Sequence, residues 1–280
     1  MTGVALRPLS VGEIIDASFQ VYRRYFGALA MVVLICNSIP LLLQIFVEAS
    51  GGPRDHPFLA IGYSLMFLVL GSVATAATVF IVSESYLGRA ITARDALNLA
   101  APFVGRVITI SILVGLMIGC GIVILVVVPA LAARPLAIVG FLALLVFGVV
   151  GVCGFVVTTP ALVLESLPSA AAALRRSWSL TSGYRLKILG LLFLLSVIMM
   201  LPWMAVTGLA AIVGALAAVG GGGGTRVAVL VAVVGIVLGG LVLFLLQPLL
   251  HGALTISYYD LRVRKEGFDL EVLASSLHAA

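Results

Sequence analysis

Charge is scarce in this chain. Charged residues make up 10% of its 280 positions, and lysine occurs twice against fourteen arginines. A soluble domain of this size carries about 25% charged residues, so there is too little polar side chain here to cover a water-facing surface. Three cysteines, Cys36, Cys120 and Cys153, fall inside apolar runs with no CxxC or Cys/His spacing. Neither a disulfide framework nor a metal site is indicated, and they read as small core residues. The first 26 residues contain Glu13 and Asp16 and no apolar stretch of signal-peptide length, so no cleaved secretion signal is expected. No GxxxxGK[ST] run offers a phosphate cradle, no arginine row marks a voltage sensor and no filter-like loop appears. The three histidines, His56, His251 and His278, lie in different regions, none beside a carboxylate pair or a cysteine. An enzyme is therefore not expected, and no cofactor is indicated.

Apolar residues, in contrast, reach 62%, and they are gathered into blocks long enough to cross about 30 Å of hydrocarbon. Six such segments run roughly over 27–49, 58–83, 107–128, 136–164, 188–218 and 227–250, followed by a tail over 251–280. They lack the period-2 alternation of barrel strands, and open strands leave backbone groups unpaired in lipid, so each should be an α-helix. The predicted fold class is all-α: a polytopic membrane protein forming one integral domain over 1–280. Ser50 to Pro57, Pro129 to Pro135 and Gly220 to Gly224 read as short hairpin turns.

The positive charge follows these spans. Thirteen Lys and Arg residues fall in the N-terminal segment, the second and fourth connections and the tail, against Arg54, Arg134 and Arg226 on the other side. This asymmetry predicts both termini in the cytoplasm, and it accounts for the net charge of +5 without a nucleic-acid partner. The arginine-over-lysine bias with abundant Ala, Val and Gly suits a GC-rich bacterial genome, hence a bacterial cytoplasmic membrane.

The segments on the basic side also repeat. Ser10 to Phe26, Thr92 to Arg106 and Ser166 to Lys187 each precede an apolar hairpin, at starts about 75 to 82 residues apart. Ser10 with Glu13 and Thr92 with Asp95 have the spacing that caps a first helical turn. The first segment aligns Ile15, Phe19, Tyr22 and Phe26 on one face, the second Ala93, Ala96, Leu97, Ala100 and Val104, and the third pairs Leu174 with Trp178 beside Arg175 and Arg176. These predict three cytoplasmic amphipathic interfacial helices in a threefold helix-plus-hairpin repeat. Arg175, Arg176, Trp178, Arg185 and Lys187 are the candidate lipid-headgroup contacts.

Polar residues within the spans form a second candidate set. Asn37, Gln44 and Glu48 share one face of the first span, with Pro40 between them, while Gln247 and His251 flank Pro248 in the last. They read either as a polar track for a substrate or ion or as interhelical hydrogen bonds of roughly 1 kcal/mol each, with Glu48 surfacing at the outer interface. Pro160 and Pro202 should kink the fourth and fifth spans. Gly115 with Gly119, and Gly235 with Gly239, form GxxxG pairs that suit close helix packing. Glu84 and Glu165 end two spans and are expected to pair with Arg89 or Arg175.

Three stretches resemble bacterial proteins carrying the glycerophosphoryl diester phosphodiesterase membrane domain: Arg7-Pro-Leu-Ser-Val-Gly-Glu-Ile-Ile-Asp running into Phe19 and Tyr22 to Phe26; Pro160 to Glu165 leading to Ala173 to Thr181; and Tyr258 to Glu271. The resemblance spans nearly the whole chain and rests on helix-boundary patterns. It implies the membrane module alone, because the hydrolase of the fused enzymes is a separate barrel with a His-Arg-Gly hallmark, whereas His56, His251 and His278 precede Pro57, Gly252 and Ala279. The leading expectation is a non-enzymatic membrane module that organises lipid or scaffolds an unidentified protein partner at the cytoplasmic face. The alternative is a transporter or lipid-moving protein with Asn37, Gln44, Glu48 and Gln247 around one polar cavity.

Overall fold

In this computed structural model residues 7–132, 134–219 and 224–267 are described, and every element among them is a helix. In chain order these are α1 (Val11–Arg24), α2 (Phe26–Ala49), α3 (Pro57–Tyr86), α4 (Ala93–Ala100), α5 (Val104–Ile122), α6 (Val128–Ala132), α7 (Arg134–Phe155), α8 (Thr158–Leu164), α9 (Ala170–Thr181), α10 (Arg185–Val219) and α11 (Gly224–Glu266). A 3₁₀ turn over Ala101–Phe103 joins α4 to α5, and a π segment over Val123–Val127 joins α5 to α6. Six helical stretches are long and apolar enough to span a membrane: Phe26–Ala49, Pro57–Tyr86, Ala93–Leu131, Ile138–Leu164, Arg185–Val219 and Val227–Glu266. Their outer faces expose large apolar side chains along their lengths, among them Phe58, Leu131 and Val219. Faces of that extent are what a membrane-spanning bundle turns to lipid rather than to water.

The short helices are fixed by local chemistry. The Ser10 hydroxyl accepts from Glu13 N at 3.3 Å while Ser10 N donates to Glu13 Oε2 at 2.7 Å, so two of the amides that α1 would leave unpaired are satisfied. At α4, Asp95 N donates to Thr92 Oγ1 at 3.2 Å. At α9 the cap is Ser169, whose hydroxyl accepts from Ala172 N at 3.2 Å. The predicted start at Ser166 is instead a turn residue with φ 49°. All three helices pack on protein as well as facing outward: α1 on α11, α4 on α3, and α9 on α7 and α8. Helices α3, α8 and α11 also touch one another, and the core lies where they converge. There α1 buries Ile14, Ile15 and Ser18, a face rotated from the predicted one, and Phe26 stays exposed.

Two boundaries differ from the sequence expectation. The last helix does not end at 250 but runs on to Glu266, making 43 residues, or about 65 Å at 1.5 Å per residue. Hydropathy falls after Leu250 because Thr255, Ser257, Asp260 and Arg262 intervene, but no proline occurs between Leu250 and Gly267, and the lone Gly252 is carried within the helix. That residue adopts φ 63°, the left-handed cap conformation, and donates to Val263 O at 3.2 Å. Residues 251–266 are therefore packed helix, with Tyr258 and Ile256 fully buried, while the rest of the expected tail, 268–280, lies outside the described residues. The predicted turn at 129–135 is shorter than expected, since α6 carries Pro129 within a helical run preceded by the π segment, a register shift that accommodates a proline. Most of the predicted turn at 220–224 lies outside the described residues.

The prolines act unequally. Pro40, Pro202 and Pro248 lie within continuous α2, α10 and α11, whereas the fourth span breaks between Phe155 and Thr158, one turn before Pro160. Pro160 has no N–H to give and its ring crowds the carbonyl four residues back. The GxxxG pairs also differ. A Cβ at Gly235 would overlap that of Ala210 and one at Gly239 would meet Thr207 Cγ2 at 3.0 Å, so this pair is where α10 and α11 approach closely. Neither Gly115 nor Gly119 has a neighbour within 4 Å, and this pair packs nothing.

Candidate functional site

The basic end of the molecule is organised around buried carboxylates. Asp260, on the extension of α11, has a side chain only 1% exposed. Such a charge is tolerable only with partners, and it has three: Leu9 N donates to Oδ1 at 2.7 Å, Lys187 pairs with Oδ2, and Arg264 Nε lies 3.0 Å from Oδ1. Lys187 and Arg264 each donate also to Leu9 O at 2.7 Å. One carboxylate thus ties the N-terminal segment, the start of α10 and the end of α11 together. A second node joins α8, α9 and α11. Arg176 Nε donates to both oxygens of Glu165 at 2.9 and 2.8 Å, and its terminal nitrogens reach Glu266 at 2.5 and 2.8 Å. Tyr258 Oη donates to Glu165 Oε1 at 2.8 Å. These bidentate, charge-assisted bonds raise the Arg176 guanidinium above its ordinary range, and the bond from Arg176 holds the Glu266 carboxyl below the usual value.

The five headgroup candidates therefore separate. Arg176 and Lys187 are bound to internal carboxylates. Glu165, expected to pair with Arg175, is held by Arg176 instead, while Glu84 pairs with Arg89 at 2.7 Å as expected. Arg175 is exposed and, among the described residues, makes no ion pair; it lines a surface groove of about 490 Å³ with Phe155, Leu174 and Trp178. Trp178 is 39% exposed, lies 5.3 Å from the Phe155 ring, and carries the Arg185 guanidinium 3.9 Å above its own ring. Arg185 Nε is buried with no hydrogen-bond acceptor among the described residues. What seats this group is Gly154 on α7. A Cβ there would overlap the Trp178 ring, and the Gly154 carbonyl, at the broken end of α7, accepts from Ser177 Oγ at 2.8 Å and Thr181 Oγ1 at 3.3 Å.

The intramembrane polar candidates do not form one track. Asn37 Nδ2 donates to Val33 O at 2.9 Å within its own helix, and the residue is buried. Gln44 and Glu48 line a cavity of about 240 Å³ between α2, α10 and α11, with Trp203 and Thr207 opposite. Gln247 is not part of that lining, and among the described residues its buried Oε1 has no partner. His251 Nε2 lies 3.4 Å from Thr75 Oγ1. The spacing on α2 put Gln44 and Glu48 together correctly, but Asn37 is about two further turns along the helix, where its amide is bonded within α2.

A further site escaped the sequence reading. Glu84, Arg89, Asn98, Tyr258, Tyr259 and Arg262, together with apolar neighbours such as Phe80, Phe103 and Leu164, line an open pocket of about 590 Å³ where α3, α4, α8 and α11 meet. Tyr259 shares a 2.7 Å hydrogen bond with Ser83 and stacks on Tyr86 at 5.6 Å. Its signal in the sequence was the Tyr258-Tyr259-Asp260 run directly after an apolar span, a cluster that makes sense only if the helix continues into protein. Among the described residues no group of three or more His, Cys, Asp or Glu could hold a metal ion. Comparison of the chain with family models, with curated proteins and with solved structures finds no match.

Proposed function

We propose that this protein is a non-enzymatic integral membrane module that organises lipid at the cytoplasmic face of a bacterial cytoplasmic membrane, with both termini on that side. One observation carries the reading. Glu165, Asp260 and Glu266 are engaged by Arg176, Lys187, Arg262 and Arg264, which ties the basic end together, yet among the described residues Arg175 and Arg185 remain without carboxylate partners beside an exposed tryptophan. Unpaired arginines with an aromatic ring suit anionic headgroups, each basic residue contributing roughly 1 kcal/mol near such a surface. The resemblance to the glycerophosphoryl diester phosphodiesterase membrane domain belongs to the same proposal, as does the threefold repeat. In support of the repeat, each short helix packs against the hairpin before it, with α1 closing the order on α11.

The test is to extract wild-type and Arg175→Glu protein with surrounding native lipid and identify what remains bound. Loss of anionic lipid from the variant supports the proposal, and equal retention sinks it. A stoichiometric protein partner retained by both would favour scaffolding instead. The transporter reading rests on the Gln44 and Glu48 cavity alone, because Asn37 and Gln247 do not join it. It requires that Glu48→Gln change a flux measured in proteoliposomes.

A further inference from the structure

Above the Trp178 site, in the apolar layer, the facing surfaces of α5 and α7 part to leave a groove of about 350 Å³. It is lined by Val114, Met117, Leu144, Phe147, Gly148 and their neighbours, almost wholly apolar, and it reaches Phe155 at the end of α7. Phe155 also lines the groove that holds Arg175 and Trp178. The two depressions therefore share one lining side chain: an apolar slot in the span region and an arginine-bearing recess at the basic end meet at Phe155. The slot's volume falls in the range of about 300–1,000 Å³ typical of sites for organic groups.

We infer that this composite groove holds one anionic phospholipid, an acyl chain lying between α5 and α7 and the phosphate meeting Arg175 and Arg185. The inference rests on the lipid-organising reading and names its site. Three observations favour a phospholipid over other occupants. The Arg185 guanidinium lies 3.9 Å over the ring of Trp178, which lines the recess, and its Nε–H is buried with no acceptor among the described residues; a phosphate oxygen supplies one in a geometry that guanidinium groups recognise. The neighbouring carboxylates Glu165 and Glu266 are both held by Arg176, so they neither neutralise Arg175 nor repel an anion strongly. Finally, the apolar slot and the cationic recess follow one another in the order of a lipid's chain and headgroup, with Trp178 at the boundary where amphipathic rings settle.

Gly148 provides a test that leaves every charge in place. A Cβ there meets nothing within 4 Å, so Gly148→Phe fills the slot, whereas Gly148→Ala leaves it open. Wild type, both variants and Arg175→Gln/Arg185→Gln would be exchanged into nanodiscs of dioleoyl phosphatidylcholine with dioleoyl phosphatidylglycerol as the minor lipid. Released complexes would then be weighed by native mass spectrometry, with gel filtration and thermal unfolding checking the fold. The expected result is one retained phosphatidylglycerol on wild type and Gly148→Ala, and its loss from Gly148→Phe. The double arginine variant should keep a lipid but lose the preference for phosphatidylglycerol over phosphatidylcholine by about fivefold per arginine. Selective retention that Gly148→Phe leaves unchanged would overturn this site while leaving the lipid-organising function standing. Wild type with no preference for phosphatidylglycerol would overturn both. If Gly148→Phe instead releases a co-purifying protein, the slot is a seat for a partner helix and the inference is wrong.

Discussion

Asp260 is the residue whose loss should be felt most widely, and Asp260→Asn isolates its charge from its shape. The amide keeps the size and one acceptor oxygen, so the 2.7 Å bond from Leu9 N can survive. The second oxygen becomes an NH₂ donor facing Lys187, whose side chain is only 19% exposed, and the attraction to Arg264 is lost as well. Removing one member of a buried ion pair costs about 3–5 kcal/mol, because the surviving charge is left desolvated. The pair here is buried on the carboxylate side and partly wet on the cation side, so about 3 kcal/mol is the expected loss. It can be read by titrating the protein from detergent into mixed micelles with dodecyl sulfate and following the emission of Trp178 and Trp203. Lys187→Met/Asp260→Asn should recover part of the loss, since it removes the stranded ammonium, and the coupling between the two substitutions should exceed about 0.5 kcal/mol. A single variant within about 1 kcal/mol of wild type, or a double variant equal to the sum of its parts, would refute the argument that this carboxylate holds the basic end together.

Other outcomes follow from the same geometry. Gly154→Val should push Trp178 off α7 and shift its emission to the red, because the new side chain occupies the place of the indole ring; an unchanged spectrum would contradict the close approach. Gly235→Val should destabilise the α10–α11 packing while Gly115→Val is silent, since only the former meets a neighbour, and a thermal-unfolding comparison of the two decides it. Arg176→Gln should lower thermal stability far more than Arg175→Gln, which removes an exposed side chain with no ion pair; equal effects would argue against the carboxylate node. Acid should loosen the basic end. The Ser10 backbone N–H and the Arg7 guanidinium lower the Glu13 carboxyl from 4.5 to about 2, and Arg176 holds Glu266 below its ordinary value. Folded values lowered in this way give stability that is present above about pH 4.5 and is lost as pH falls toward 2. Glu13→Gln and Glu266→Gln should each flatten the decline of stability measured between pH 6 and pH 3, and slopes equal to wild type would remove these groups from the account.

The helical class and the six spans were legible in composition because crossing lipid is a local requirement: about twenty apolar residues and internally paired backbone suffice, whatever lies elsewhere in the chain. The helix caps at Ser10 and Thr92 were legible for the same reason, since each involves groups three residues apart. Partner choice was not. Arg175 and Arg176 are adjacent and chemically identical, and only the rotation of α9 against α8 and α11 sends one to Glu165 and Glu266 and leaves the other outside. The extension of α11 was hidden because its polar residues look like a tail until Leu9 and Lys187, 251 and 73 positions away from Asp260, arrive to satisfy them. The composite groove depends likewise on the break between α7 and α8, which brings Trp178 onto a bare stretch of backbone at Gly154. Membrane insertion is decided by what each segment buries in lipid, and so it is written segment by segment. Which charges are quenched and which are left to meet a ligand is decided by distant residues brought within 3 Å, and that belongs to the tertiary structure.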